Sequence, residues 1–230
     1  MEWLFRCIES VRNQTCGSVT HTLVVDGNPD FAAPAGFSGN IIRSPDNHND
    51  YGDTPRSLGI QAAIHDGASV IALLDDDNWF ELDHIQQAIA VNSNTSAALV
   101  ASGRTMVHLD GQPFGVCLHC GTSDFADTSA MVYFPAVFPQ LSLWGTLEPW
   151  MHAIGDRIVW NTLTDAGFAP GLTNLPTLNY RCTHAIHYEQ FGISAPNGVK
   201  QGDAVEVALA RWNRERQSDL SFVHGLIKRQ

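Results

Sequence analysis

Apolar residues Trp3, Leu4, Cys7, Ile8 and Val11 recur at three- and four-residue spacing, which predicts a helix over residues 3–14. Cys16-Gly17-Ser18 ends it. A β-rich run at 21–25 leads into the turn cluster Asp26-Gly27-Asn28-Pro29-Asp30. Residues 40–43 read as a second short strand. Thr54-Pro55 marks a helix start, with Thr as N-cap and Pro at the first helical position. That helix runs to His65 and stops at Asp66-Gly67. Residues 69–74, SVIALL, are apolar without alternation, which predicts a strand buried on both faces. The run stops at Asp75-Asp76-Asp77-Asn78, and residues 82–91 are helical. Strands follow at 97–101, 105–109 and 131–134, with a turn at Asp110-Gly111. Helices follow at 158–163 and 205–212. Strands alternating with helices over the first 95 residues predict an α/β fold.

Composition narrows this picture. The chain has 230 residues, 44% of them hydrophobic and only 16% charged, enough apolar surface to rule out disorder as the main state. The net charge of −11 disfavours a nucleic-acid partner and an anionic membrane surface. No apolar run is long enough for a membrane span. The acidity comes from 17 Asp against 7 Glu, and Asp is the residue of turns, caps and metal sites. Five cysteines, an odd number, and no signal peptide predict a reducing, cytoplasmic setting. Cys117-Leu118-His119-Cys120 has no second pair and reads as an ordinary strand cysteine pair.

The candidate chemistry sits where the buried strand ends. Clustered carboxylates are hard oxygen donors suited to Mg²⁺ or Mn²⁺, and their mutual repulsion calls for a cation. In open α/β sheets, ligands bind beyond the carboxyl ends of strands. Asp26 ends an earlier strand in the same way.

Four segments in order, IESVRNQT (8–15), HTLVVDGNPD (21–30), DTPRSLGIQAA (53–63) and ASVIALLDDDNWF (68–80), resemble family 2 of the GT-A glycosyltransferases. Beyond residue 95 the resemblance thins to DTSAMVYFPAVF (127–138), LWGTLEPWMHAIGDRIVW (143–160) and NYRCTHAIHY (179–188). The resemblance implies a single GT-A domain over 1–230, Rossmann-like, with a mostly parallel central sheet flanked by helices. Residues 1–100 would form the nucleotide-sugar half and 101–230 the acceptor half. It implies a nucleotide-diphosphate sugar donor, a glycan or small-molecule acceptor, and Mn²⁺ or Mg²⁺. Asp26, Arg56, Asp75 and Asp76 match donor-binding positions, and Asp77 matches the metal ligand. His184 and His187 are candidates for a further metal or phosphate contact. Asp156 matches the general base of an inverting transfer, and Trp144 is a candidate platform for an acceptor sugar.

The chain departs from this family in three ways. It begins inside the first helix, so the usual opening strand is expected to be missing, leaving strands 23–26 and 70–74 either paired directly or separated by a gap. It reads VVDG where the family often reads VVDDG. The acidic pair before the acceptor helix is reduced to Gly155-Asp156. The alternative reading is therefore a non-catalytic remnant that binds a sugar nucleotide or glycan. A sugar nucleotidyltransferase would need a Gly-rich N-terminal signature, which is absent.

Overall fold

The computed structural model describes residues 2–201 and 203–218; residues 219–230 of the expected domain lie outside the described residues. The first apolar stripe forms helix α1 (Glu2–Arg12), which buries Cys7, Ile8 and Val11. The chain then forms β1 (Thr22–Asp26), β2 (Asn40–Ser44), helix α2 (Asp53–His65), β3 (Ile71–Ala72), β4 (Trp79–Phe80) and helix α3 (His84–Thr95). The second half contains β5 (Leu99–Ala101), β6 (Arg104–Val107), β7 (Pro113–Val116), β8 (Met131–Tyr133) and helix α4 (Gly155–Asp165). It closes with β9 (Gly171–Leu172), β10 (Leu178–Arg181) and helices α5 (Ala185–Glu189) and α6 (Asp203–Ser218). Short 3₁₀ segments at Thr128–Ala130, Pro135–Gly145 and His152–Ile154 flank β8 and introduce α4.

The start of α2 differs from the Thr-Pro expectation. Gly52 is the N-cap, in the left-handed region at φ 91°, and Pro55 sits in the third helical position. The capping carboxylate is that of buried Asp50, which accepts from the Gly52 and Thr54 amides at 3.1 and 2.8 Å. A side chain before the helix thus satisfies free N–H groups at its start, in place of the cap expected of Thr54.

The strands form three sheets rather than one mostly parallel sheet. β1 and β2 make a parallel pair; the other sheets run β4-β10-β6-β7 and β3-β8-β5-β9. Parallel pairing is confined to β1/β2, β6/β10 and β5/β9, while β3/β8, β5/β8, β4/β10 and β6/β7 are antiparallel. β8 enters between β3 and β5 from an irregular segment, and without a helical crossover on that path nothing imposes parallel pairing.

Among the described residues no strand lies between β1 and β3. This settles how residues 23–26 and 70–74 are related: a gap separates them. It also shortens the SVIALL strand, of which only Ile71 and Ala72 pair with β8. Ile71 and Leu73 enter the main core with Leu99, Tyr133, Trp144 and Trp160. Val70, Ala72 and Leu74 turn to the opposite face and remain half-buried against a second core around Phe80, Ile85 and Met106. The missing alternation reflects apolar layers on both faces, as expected, but the edge towards β1 is open.

Candidate functional site

A cleft of ≈1450 Å³ collects most of the singled-out residues. Asp75, Asp76 and Asp77 line it just beyond β3, together with Arg56, Asp156, His184 and His187. Asp26 and Trp144 are not among its lining residues.

Buried Asn78 fixes the acidic turn. Its side-chain carbonyl accepts from the Arg181 amide at 2.9 Å, and its amide group donates to Ser129 Oγ at 3.3 Å. The Asp75 amide donates to the same hydroxyl at 3.1 Å. The turn is thereby tied to β10 and to the 3₁₀ segment before β8. The three carboxylates are close enough for each charge to act on its neighbours. Burial, with Asp75 and Asp76 nearby, pushes the Asp77 carboxyl up to about 6, against the pull of Arg181 at 3.5 Å. Burial also raises Asp76, helped by Asp75.

Arg56 is held by the protein's own carboxylates. It donates to Asp75 Oδ1 at 2.7 Å and to Asp53 Oδ1 at 3.0 Å, and also to the Tyr51 carbonyl at 2.9 Å. Asp53 is 1% exposed and accepts from His152 Nδ1 at 2.8 Å on its other oxygen. Burial pushes its carboxyl up to about 6, opposed by Arg56 and His152. Gly155 packs on this carboxylate: a Cβ there would lie 2.9 Å from both oxygens. One buried group therefore joins the acidic turn, through Arg56, to the start of α4.

Asp156 opens α4, where the helix dipole favours a negative charge. It accepts from the Arg157 amide at 2.7 Å. Burial nonetheless raises its pKa, against Arg157, Arg104 and Arg56. Beside it lies an ion pair that local sequence did not signal. Arg104 donates to Asp127 at 2.7 Å, both side chains buried, and its guanidinium lies 4.3 Å from the Tyr180 ring centroid. Asp127 also caps the segment Thr128–Ala130 through the Ser129 amide. The DTS sequence was the available signal for that cap; the partner 23 residues away had none.

His184 and His187 are neighbours, with ring centroids 6.0 Å apart. Burial, aided by Arg104 and His184, holds His187 at about 3; burial and Lys200 lower His184. Both rings are thus neutral at neutral pH, and both Nδ1 atoms are buried without a hydrogen-bond partner. Among the described residues no three His, Cys, Asp or Glu side chains stand within metal-binding reach of one another. Mg²⁺-type sites commonly take one or two carboxylates and complete their shell with phosphate and water oxygens.

Two candidates sit elsewhere. Asp26 accepts from the His48 amide at 3.0 Å and meets His48 Nδ1 at 2.5 Å, so the loop after β2 holds its carboxylate. Gly27 explains the VVDG sequence. Its φ is 63°, and a Cβ would fall 2.4 Å from that of Asn47, leaving no room for a second Asp. Trp144 is corrected: its ring is 1% exposed, and its Nε1 donates to Tyr133 Oη at 3.3 Å. A ring enclosed in the core has no face to offer a sugar. Cys117 and Cys120 are buried free thiols after β7, packed in the second core rather than in a strand.

Solved structures share this α/β architecture. The chain superposes on S. aureus TarS 1–349 in complex with UDP with a TM-score of 0.58 and 10% identity, covering 82% of this chain and 59% of that one. For TarS 1–349 in complex with UDP-GlcNAc the TM-score is 0.53 at 10% identity, covering 78% and 55%. A curated Bacillus subtilis (strain 168) protein named "Putative glycosyltransferase EpsH" is 30% identical over 112 residues, 44% of this chain and 32% of that protein. The chain thus spans about a third of the length of its curated relative. No protein-family model matches it. Among the described residues no helix is long and apolar enough to cross a membrane.

Proposed function

We propose that this chain is a glycosyltransferase that takes a sugar from a nucleotide-diphosphate donor and places it, with inversion, on an acceptor hydroxyl. The observation that carries the reading is the shared cleft. The acidic turn after β3 and the carboxylate opening α4 line the same cavity. The neighbours solved with UDP and UDP-GlcNAc support a uridine donor.

In this reading Asp77, with Asp75 and Asp76 beside it, would hold the Mn²⁺ or Mg²⁺ of the donor complex, and His184 or His187 would supply a further metal or phosphate contact. When bound, such a cation would supply charge neutralisation to the leaving diphosphate. Asp156 accepts the proton of the acceptor hydroxyl. The hydroxyl oxygen forms its bond to the anomeric carbon as the bond from that carbon to the diphosphate oxygen breaks. Asp26 contacts the nucleoside, and Arg56 aligns Asp75 for the ribose and diphosphate. The acceptor is a glycan or small molecule.

Thermal unfolding with UDP, UDP-GlcNAc and GDP-sugars, each with and without Mn²⁺, tests the proposal. A metal-dependent rise in Tm for one nucleotide family supports it, and no rise with any of them sinks it. The gap between β1 and β3 keeps a second reading in view, a non-catalytic remnant. Donor binding without hydrolysis or transfer to any acceptor would favour that remnant.

A further inference from the structure

We propose that the ring of Tyr51 is the platform on which the base of the nucleotide donor stacks, an assignment that rests on the donor-binding reading of the cleft. Tyr51 stands in the left-handed region at φ 59°, a conformation that is costly for a bulky side chain and that Gly or Asn adopts more easily. Asn49, two residues earlier, is left-handed as well, at φ 50°. The surrounding hydrogen bonds hold this backbone in place. Buried Asp50 accepts from the Gly52 and Thr54 amides, and the Tyr51 carbonyl accepts from Arg56 at 2.9 Å. Strain held in this way points to a side chain with a task at that spot.

Tyr51 lines the cleft and is 55% exposed. Phe5 is the other strongly exposed aromatic ring among the described residues, and it does not line the cleft. The loop that carries Tyr51 touches both ends of the expected nucleotide site. His48, three residues earlier, holds Asp26, the nucleoside contact of the donor reading. Arg56, which binds the Tyr51 carbonyl, also donates to Asp75 at 2.7 Å. The ring therefore sits on a short loop fixed to the nucleoside carboxylate on one side and, through a guanidinium, to the acidic turn on the other. A nucleobase has two flat π-faces, and an aromatic ring open to solvent offers one of them a matching surface without any hydrogen bond. Stacking of this kind needs the ring of Tyr51 and not its hydroxyl.

Isothermal titration with UDP and Mg²⁺ tests the proposal on the intact chain and on its Tyr51→Phe, Tyr51→Leu and Tyr51→Asn variants, with Tm measured for each. Phe keeps the ring and is expected to bind UDP within about twofold of the unaltered chain. Leu keeps apolar bulk without a ring, and Asn accepts the left-handed backbone. Both are expected to lose affinity by about 5- to 150-fold, the usual worth of one base–aromatic stack. Tm is expected to hold in Tyr51→Leu and to hold or rise in Tyr51→Asn, which separates lost stacking from lost folding. UDP affinity unchanged in Tyr51→Leu, or lost equally in Tyr51→Phe, would overturn the assignment and leave the donor reading standing. No UDP binding by the unaltered chain would overturn that reading and the assignment with it.

Discussion

Asp53 shows how a single side chain can connect distant parts of a site. It is buried, yet it serves Arg56 on one oxygen and His152 on the other, and Gly155 is pressed against both. Gly155→Ala is expected to force α4 away from this carboxylate and to destabilise the fold by about 1–3 kcal/mol, as overpacking does, read by urea unfolding. At Asp77, replacement by Asn is expected to abolish the metal-dependent part of any nucleotide-induced rise in Tm. An unchanged rise would remove Asp77 from the metal site. Asp156→Asn is expected to keep donor binding while lowering transfer by about 10²–10⁴-fold, the usual worth of a general base. Full transfer by that variant would assign the base elsewhere.

His84 carries a prediction about pH. Its ring is 1% exposed, stacked 3.9 Å from Phe80, and shares a 2.9 Å hydrogen bond with Thr177. Burial holds it at about 4. An unfolded chain returns it to about 6.5, so the unfolded state binds the extra proton between those values. Its contribution to stability is therefore complete above pH 6.5 and declines as pH falls towards 4. His84→Gln is expected to flatten that part of the stability curve when unfolding is measured at pH 7 and pH 4.5. An unchanged slope would mean that the ring titrates normally in the fold.

At the scale of elements, α2 and the β1-β2 pair stand apart. The Asp50 carboxylate closes two amides at the start of α2, so Asp50→Ala is expected to cost about 1–2 kcal/mol. The helices were largely legible in the sequence because apolar spacing declares a buried face. The stripe at 3–14 and the apolar residues at 158–163 both became buried helix faces. Caps and strand partners were less legible. Thr54-Pro55 matched a local rule, but the helix begins earlier, at Asp53, and Asp50 accepts from the Gly52 and Thr54 amides. Residues 69–74 announced two apolar neighbours without saying that one strand edge would be open.

For the whole molecule, the sequence by itself determined an alternation of strands and helices, an acidic turn after a buried apolar run, and an acidic residue at the start of a later helix. Each is a local pattern of side-chain size, charge and backbone preference, which can be read along the chain. Tertiary structure alone decided that Asp75, Asp76, Asp77 and Asp156 share a cleft while Trp144 lies inside the core. It also decided that Arg104 meets Asp127, that Asp53 meets His152 across 99 positions, and that His48 holds Asp26. The sheets became mixed, and β1 stayed apart from β3, for the same reason. Pairings of this kind depend on how separately formed elements pack, and no spacing rule along the chain encodes a contact made only after they have docked.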